Sequence, residues 1–407
     1  MKKRIPGYPK KLSDLVLDRR QTLRYTLATL GLAVSSPLLT GCSDSNDSND
    51  SSRPRSFTLQ APDENGIALP EGFSSRIIAR STEVVEGTDY KWHNAPDGGA
   101  CFDAGDGGWI YVSNSEQFVE GAGGVSAIRF DSNGSIVDAY NILSGSTANC
   151  AGGATPWQTW LSCEEKFIGD RLGLVYECDP FGIKEPIARP AMGAFPHEAV
   201  AVDDVMQTLY LTEDWPDGKL YRFTPENYPD LGSGQLDVAQ VIGDPATGAS
   251  INWLTLPDPS GLSGDTRLQV PESTPFNGGE GIVFKDGLIF FATKGDNRIW
   301  CYDTVANQLE ILYDDDFYEE PVLQGVDNLT IAPSGEIYVA EDGGSMQLVA
   351  LTKDSTPYPI AQVFGQDDSE ITGPAIMGNR LYFSSQRGTG PFAGTGGITY
   401  EITGDFG

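Results

Sequence analysis

The sequence predicts an all-β protein, and within that class a six-bladed β-propeller with antiparallel four-stranded blades. Three observations lead to this prediction: a composition rich in glycine and aromatic residues, a strand-like segment that recurs six times, and a second marked position that precedes each recurrence. A β-sandwich whose repeats are accidental is the alternative that these observations leave open.

The composition favours many short strands joined by turns. The chain has 407 residues with 48 glycines and 10% aromatic residues, and it lacks the long Ala-, Leu-, Glu- and Lys-rich stretches of a helical protein. Its formal net charge is −30, although its first 41 residues are basic. Nucleic acid and anionic membranes are poor partners for such a surface, and a phosphate-bearing substrate requires cations in the site. A solvated acidic surface accounts for most of these carboxylates, but not for those at recurring positions.

The recurring segment is an aromatic or aliphatic run that ends in small and acidic residues. Its last large apolar residues are 49, 50, 80, 48 and 44 residues apart, and a blade of four short strands takes roughly 40 to 50 residues. The longer interval indicates an insertion rich in Pro, Gly and Ser near Tyr228–Pro275. The six segments are Trp109–Glu116, Thr159–Glu165, Leu209–Asp214, Ile289–Asp296, Ile337–Asp342 and Leu381–Arg387.

A second marked position lies 10 to 15 residues before the last large apolar residue of each segment, often beside glycine. Equivalent positions of propeller blades converge on the central channel, so we expect these residues to meet in space. We also expect Phe73–Ser81 to pair with Gly397–Ile402 and close the ring. The six marked residues are Asp97, Cys150, Glu198, Glu280, Asp327 and Gly373.

The N-terminus has the features of an export signal. Arg19 and Arg20 form a twin-arginine pattern, a short apolar stretch follows, and the run ending at Cys42 is typical of a lipoprotein cleavage box. We therefore predict a signal over residues 1–41, a Ser/Asp/Asn-rich tether over 42–56 and the propeller over 57–407. The predicted location is periplasmic or cell-surface after twin-arginine export, with Cys42 lipid as the only membrane contact. A merely basic tail is the alternative.

Five cysteines remain once Cys42 is assigned to lipid, an odd number for an oxidising compartment. At least one is therefore expected to be a free thiol, bound to metal or engaged between molecules. Cys163 and Cys178 lie on successive predicted strands, and the sequence leaves open whether they pair.

Acidic and amide residues accumulate at the blade positions that should face one axis. So many carboxylates would repel one another by several kcal/mol unless cations neutralise them, and oxygen-rich sites suit Ca²⁺, Mg²⁺ or Mn²⁺. A thiolate at Cys150 would add iron or another transition metal. Any one of these carboxylates taken alone could be a simple strand-end turn residue. The candidate metal ligands are Asn114, Glu116, Cys150, Glu164, Glu165, Glu198, Asp214, Glu280, Asp327 and Glu341.

Other hydrolytic sites are not supported by the sequence. The chain has two histidines, His93 and His197, which excludes a triple-histidine zinc site. No nucleophile-elbow pattern lies between a strand and a helix, so a Ser-His-Asp hydrolase is not indicated.

The run Asn149–Glu165 (NCAGGATPWQTWLSCEE) resembles the PhoX-type alkaline phosphatases, and so do Phe195–Asp203, Tyr210–Asp214, Val326–Gly343 and the Asn-x-Glu at Asn114–Glu116. The resemblance covers roughly residues 65 to 400. It implies a six-bladed propeller, twin-arginine export and hydrolysis of phosphate monoesters.

The same resemblance implies two ferric ions bridged by oxygen and a cysteine, with calcium ions completing the cluster. Cys150 would bridge the irons, and the carboxylates Glu165, Glu198, Asp214 and Glu280 would bind metal, with Asn114 and Glu116 in the same shell. Gly278 stands where such phosphatases have an arginine. Candidate replacements for that phosphate contact are Lys166, Lys294 and Arg387.

We therefore expect a metal-dependent phosphomonoesterase, acting as a monomer, in which the metals hold the attacking oxygen and no protein nucleophile is needed. A calcium-dependent lactonase-like propeller and a non-catalytic binding propeller of the cell envelope are the alternatives. Neither would have a use for the Cys150 thiolate.

Overall fold

The structure is a computed structural model that describes residues 58–167, 172–352, 354–389 and 395–406. The predicted export signal, the tether and Cys42 lie outside these residues. Within them nearly all regular structure is β-strand, interrupted by four single-turn 3₁₀ segments. No helix among the described residues has the length and apolar character needed to cross a membrane. The 3₁₀ segments are Pro190–Met192, Thr266–Leu268, Lys294–Asp296 and Asp315–Phe317.

The strands form five antiparallel sheets. The first sheet contains β3–β6 and the second β7–β10. Before them come β1 and β2, which join the fourth and fifth sheets. These ten strands are β1 Ile67–Ala68, β2 Ser74–Arg80, β3 Pro96–Asp103, β4 Trp109–Ser115, β5 Gly123–Phe130, β6 Ile136–Ser146, β7 Asn149–Ala154, β8 Trp160–Glu164, β9 Val175–Cys178 and β10 Ile187–Ala188.

The third sheet has nine strands, because the hairpin β14–β15 extends one four-stranded unit until it touches the next. The strand pairing between the two units consists of the single pair Ala249–Leu309. This hairpin falls in the predicted insertion. The nine strands are β11 His197–Asp203, β12 Thr208–Glu213, β13 Leu220–Asn227, β14 Asp230–Asp244, β15 Gly248–Thr255, β16 Gly279–Lys285, β17 Leu288–Thr293, β18 Arg298–Asp303 and β19 Gln308–Asp314.

The last two sheets contain the chain ends. One has the order β1-β23-β22-β21-β20 and the other the order β2-β26-β25-β24. In the latter, Ser74 pairs with Thr403 and Arg80 with Ile398, so the predicted closure of the N-terminal strand onto the C-terminal strand is confirmed. The strands are β20 Val326–Ile331, β21 Ile337–Glu341, β22 Gln347–Leu351, β23 Pro357–Val363, β24 Ile371–Met377, β25 Arg380–Ser385 and β26 Ile398–Thr403.

The inner strands β3, β7, β11, β16, β20 and β24 contact one another in cyclic order, and β24 returns to β3. Apolar side chains fill the spaces between neighbouring sheets. For example, Leu161 and Val175 of the second sheet pack against Val200, Leu211 and Tyr221 of the third, and the burial of such surface drives the sheets together. The all-β, propeller-like architecture predicted from the sequence is confirmed.

The possible disulfide between Cys163 and Cys178 is not formed. Cys163 faces Val175 across the β8–β9 pair, whereas Cys178 faces Trp160 at the other end of that pair. Both side chains are buried, and they pack as small apolar residues.

Candidate metal centre

Every inner strand carries one extra residue near its start. From Pro96 to Gly99, β3 advances by three residues while its partner strand advances by only two. From His197 to Val200, β11 does the same. The same shift occurs in β7, β16, β20 and β24. Such a β-bulge leaves the extra residue unpaired and re-aims its side chain.

The first residue of each bulge is the marked position that the sequence repeat identifies. Five of the six have side chains that line one cavity, whereas the sixth, Gly373, has none. The second bulge residue is small in most sheets because neighbouring inner strands approach closely there. A Cβ on Gly98 would overlap Ala151, and one on Gly281 would overlap the backbone at Asn328. The five side chains are Asp97, Cys150, Glu198, Glu280 and Asp327.

A second set of side chains comes from the residue that directly follows the second strand of each sheet unit. These residues border the first set because the end of the second strand pairs with the start of the inner strand. In the first sheet, Ser115 at the end of β4 pairs with Pro96 at the start of β3. All but Gln386 line the same cavity, and Gln386 donates hydrogen bonds to Asp97 and Glu116 at 2.6 and 2.7 Å. The set is Glu116, Glu165, Asp214, Lys294, Asp342 and Gln386.

The cavity has a volume of about 110 Å³, and nine carboxylates, one thiol and two cationic side chains line it, together with Phe118. Eight of the carboxylates and the thiol form four overlapping groups of three, in each of which the potential ligand atoms lie within 4.8 Å of one another. Since neighbouring groups share members or sheet units, the donors form one cluster. The groups are Asp97–Glu116–Cys150, Cys150–Glu165–Glu198, Glu198–Glu280–Asp327 and Asp327–Asp342–Glu370.

Burial makes ionisation of this cluster unfavourable in the absence of bound cations. It raises the pKa of Asp97, Glu165, Glu198, Glu280, Asp327 and Glu370, and the neighbouring carboxylates raise it further. Burial and the carboxylates Asp97 and Glu198 likewise raise the pKa of the Cys150 thiol. Bound metal ions reverse this effect, because the ligands bind as anions. The donor set therefore fits hard cations at its carboxylates and a thiophilic metal at Cys150.

Two of the candidate phosphate contacts line the cavity. The Lys294 ammonium lies 2.8 Å from a Glu280 oxygen and 3.2 Å from an Asp342 oxygen, and these carboxylates outweigh burial and raise its pKa. The Arg387 guanidinium lies 2.7 Å from Glu370. Lys166 is not among the lining residues and pairs instead with the exposed Glu120 at 2.7 Å.

Two predicted carboxylate ligands do not face the cluster. Glu164 is the last residue of β8 and accepts hydrogen bonds from the backbone N–H groups of Thr147 and Leu174. Glu341, at the end of β21, accepts from the backbone of Gln324 and Gln347. Successive strand residues point to opposite faces, so the acid that ends each strand holds the adjoining loop. The acid that follows it, Glu165 or Asp342, lines the cavity.

Asn114 also does not offer a free ligand atom. Its amide NH₂ donates to the carbonyl oxygens of Cys150 and Ala151, and its oxygen accepts from Trp160 and Ser162. These carbonyls belong to the bulge of β7, where ladder hydrogen bonds are interrupted. Asn114 thus fixes the backbone that carries Cys150.

Three acidic residues of the cluster were not among the predicted ligands. Asp97 and Asp342 both lie at repeat positions, and strand alternation could have selected Asp342 in place of Glu341. Glu370 has no repeat signal. It precedes β24, whose bulge residue is Gly373, and its carboxylate occupies the part of the ring where the other inner strands contribute a side chain.

The histidines lie outside the cluster. The Nε2–H of His197 donates a hydrogen bond to the Gly193 carbonyl oxygen at 3.1 Å, and the His197 ring packs on Phe195. Burial lowers the pKa of His197 and of His93 to about 3. Both are therefore neutral structural groups.

Gly278 cannot accept the arginine found in similar phosphatases without strain. Its φ is +66°, a left-handed conformation that side chains other than glycine rarely adopt. A Cβ there would also lie 3.1 Å from an Asp214 carboxylate oxygen. The local backbone conformation at residue 278 thus favours glycine over arginine.

The chain resembles one family of known proteins. The family model for alkaline phosphatase PhoX matches residues 111–310, whereas no curated protein matches the chain significantly. Among solved structures, Pseudomonas fluorescens PhoX in complex with vanadate, a transition-state analogue, has a TM-score of 0.68 at 16% identity, covering 86% of this chain and 98% of that one.

Two further solved structures have lower structural similarity to this chain. A protein of unknown function from Bacteroides thetaiotaomicron has a TM-score of 0.50 at 11% identity, with 81% of this chain and 76% of that chain covered. A gluconolactonase from Xanthomonas campestris has a TM-score of 0.49 at 10% identity, with 86% and 94% covered. The resemblance to the PhoX alkaline phosphatase family that the sequence motifs indicate is thus confirmed, by the family model over residues 111–310 and by the fold over most of the chain.

Proposed function

We propose that this protein is a metal-dependent phosphomonoesterase whose centre is the carboxylate–thiol cluster. The observation that carries the proposal is the cluster itself: eight buried or half-buried carboxylates and one buried thiol form overlapping groups of three, and within each group the potential ligand atoms lie within 4.8 Å of one another. The PhoX family match supports phosphate ester hydrolysis as the reaction. The proposal extends to six blades, with the nine-stranded sheet counted as two units joined by the β14–β15 hairpin.

The donor types suggest how two kinds of metal would divide the cluster. Cys150 with Asp97, Glu116, Glu165 and Glu198 offers a thiolate among carboxylates, which suits ferric iron. Glu280, Asp327, Asp342 and Glu370 offer only oxygen, which suits calcium. When bound, such cations neutralise the phosphoryl oxygens and lower the pKa of water, so that water can attack phosphorus.

The protein itself supplies substrate contacts and positioning. Arg387 lines the cavity and remains 43% exposed, so its guanidinium is accessible to a phosphate oxygen. Lys294 is held between Glu280 and Asp342, two of the oxygen-only donors, and places a positive charge beside them. No serine, threonine or histidine is among the described residues lining the cavity, which fits attack by water rather than by a side-chain hydroxyl or imidazole.

The test combines metal analysis with activity. We expect the purified protein to contain iron and calcium, to absorb visible light through iron–thiolate charge transfer, and to hydrolyse phosphate monoesters at alkaline pH. Cys150→Ala should abolish the absorption band without unfolding the protein. Glu198→Gln and Glu280→Gln should each lose at least ~100-fold in kcat/KM, because loss of a ligand exceeds the ~10–100-fold cost of disturbing a ligand's support.

Glu272→Gln is the matched control, since Glu272 is exposed and does not line the cavity. A colourless protein that binds only calcium and hydrolyses lactones would point to the lactonase-like alternative. A fully metallated protein that hydrolyses no phosphate ester at any pH would refute the proposed reaction.

A further inference from the structure

One aromatic ring at the edge of the carboxylate cluster is largely exposed to solvent. Phe118 is 61% exposed, and among the exposed large apolar side chains of the described residues it is the one that also lines the carboxylate cavity. An exposed phenylalanine ring forgoes the free energy of burial. Its place beside the cluster indicates that a ligand covers it.

Phe118 does not stand alone. Three consecutive sheet units place an aromatic residue one or two positions after their cavity-lining acid: Phe118 after Glu116, Phe167 after Glu165, and Trp215 after Asp214. The ring centroids of Phe118 and Phe167 are 6.5 Å apart with planes inclined by 21°, and those of Phe167 and Trp215 are 5.3 Å apart. These three rings, the aromatic wall, follow one side of the cluster.

The far end of the aromatic wall is fixed in place. The Arg267 guanidinium lies 4.7 Å from the Trp215 ring centroid and is itself held by ion pairs with Asp217 and Asp265. Trp215 and Phe167 are half-buried, so exposure increases along the wall towards Phe118. A rigid aromatic face with its most exposed ring at the cavity is suited to stack against a planar group.

We infer that the aromatic wall binds the leaving group of the substrate, and that the preferred substrates are phosphate monoesters whose alcohol carries a planar aromatic ring. This inference rests on the proposed phosphatase function. The phosphate would sit at the cluster while the ring of an aryl ester or a nucleoside stacks on Phe118. Esters of small aliphatic alcohols would reach the cluster but leave the wall uncovered.

The test compares three substrates in the metallated protein: phenyl phosphate, adenosine 5′-monophosphate and glycerol 2-phosphate. We expect the aromatic esters to exceed glycerol 2-phosphate in kcat/KM. Phe118→Leu, which keeps an apolar side chain but removes the ring, should reduce kcat/KM for aromatic esters on the order of 10-fold through KM, as expected for one lost stacking contact. It should leave glycerol 2-phosphate within about 2-fold, since that ester makes no stacking contact. Phe364→Leu is the control, because Phe364 is 46% exposed but does not line the cavity.

A binding measurement separates this inference from the proposed reaction. Titration with adenosine, which has no phosphate, should change the fluorescence of Trp215 relative to a Trp215→Phe variant, and Phe118→Leu should weaken the response. If aromatic and aliphatic esters are hydrolysed equally, or if Phe118→Leu affects them equally, the wall is not a leaving-group site although the phosphatase function stands. If no ester is hydrolysed but adenosine still binds through Phe118, the proposed reaction fails and the aromatic site stands.

Discussion

At the scale of single residues, adjacent acids in this chain have opposite roles. In Glu164–Glu165, Glu213–Asp214 and Glu341–Asp342 the first acid ends a strand and accepts hydrogen bonds from nearby groups, while the second lines the cavity. The first acid keeps a loop closed and the second provides a ligand. Substituting each member of such a pair should therefore affect different properties.

The pair Glu341–Asp342 provides a direct test. Asp342→Asn removes a proposed ligand, so it should lower metal content and reduce activity at least ~100-fold, with little change in unfolding. Glu341→Gln removes one oxygen that accepts a backbone N–H, from Gln324 or Gln347. It should reduce the free energy of unfolding by about 1–3 kcal/mol and leave metal content unchanged. Elemental analysis and urea unfolding measure the two effects, and an exchange of the two phenotypes would contradict the assignment.

His93 gives the fold a defined sensitivity to acid. Its Nδ1 is buried without a hydrogen-bond partner among the described residues, and burial lowers its pKa from 6.5 to about 3. Between these values the unfolded chain binds a proton at His93 and the folded protein does not, so the stabilising contribution of neutral His93 is present above pH 6.5 and lost as the pH falls towards 3. His93→Phe should become more stable relative to the wild type across this range. Urea unfolding from pH 7 to pH 4 measures this, and parallel stability curves would show that His93 does not contribute.

At the scale of strands, the repeat could be predicted from the sequence, and so could the six marked positions. The bulges that aim those residues could not, because a one-residue register shift depends on pairing between strands and changes the face of every residue beyond it. Asp342 does not depend on a bulge, and strand alternation alone points to it in place of Glu341. Glu370 could not be found from the repeat, since it belongs to the one sheet unit whose bulge residue is glycine.

The closure of the ring by β2 can be tested by truncation. Without β2, strand β26 would expose an unpaired edge, and Ile78 and Ala79 would be lost from the core. A chain beginning at residue 82 should melt at a lower temperature than one beginning at residue 58 and should self-associate. A synthetic peptide spanning residues 66–81 should restore part of the loss by adding a strand. Equal melting temperatures of the two chains would show that closure does not stabilise the fold.

At the scale of the whole molecule, the distribution of charge determines whether a phosphate ester can bind. The chain carries a formal net charge of −30, and nine carboxylates against two cations line the cavity. A phosphate dianion is attracted only if bound metals reverse the local field. The acidic surface thus ties substrate binding to metal loading.

Export and anchoring depend on residues outside the described part of the structure, and we propose the lipoprotein assignment from the sequence alone. Cys42 is the predicted lipid attachment site, and among the described residues no helix provides an alternative anchor. Cys42→Ser should therefore leave the protein unprocessed or release it from membranes. Replacing Arg19 and Arg20 together by lysine should block export of the folded protein, since lysine keeps the charge but not the twin-arginine pattern. Fractionation at high salt separates a lipid anchor from ionic attachment, which salt disrupts. A processed Cys42→Ser protein that stays with membranes at high salt would contradict the anchor, and unchanged export of the double lysine variant would indicate the unfolded-chain route.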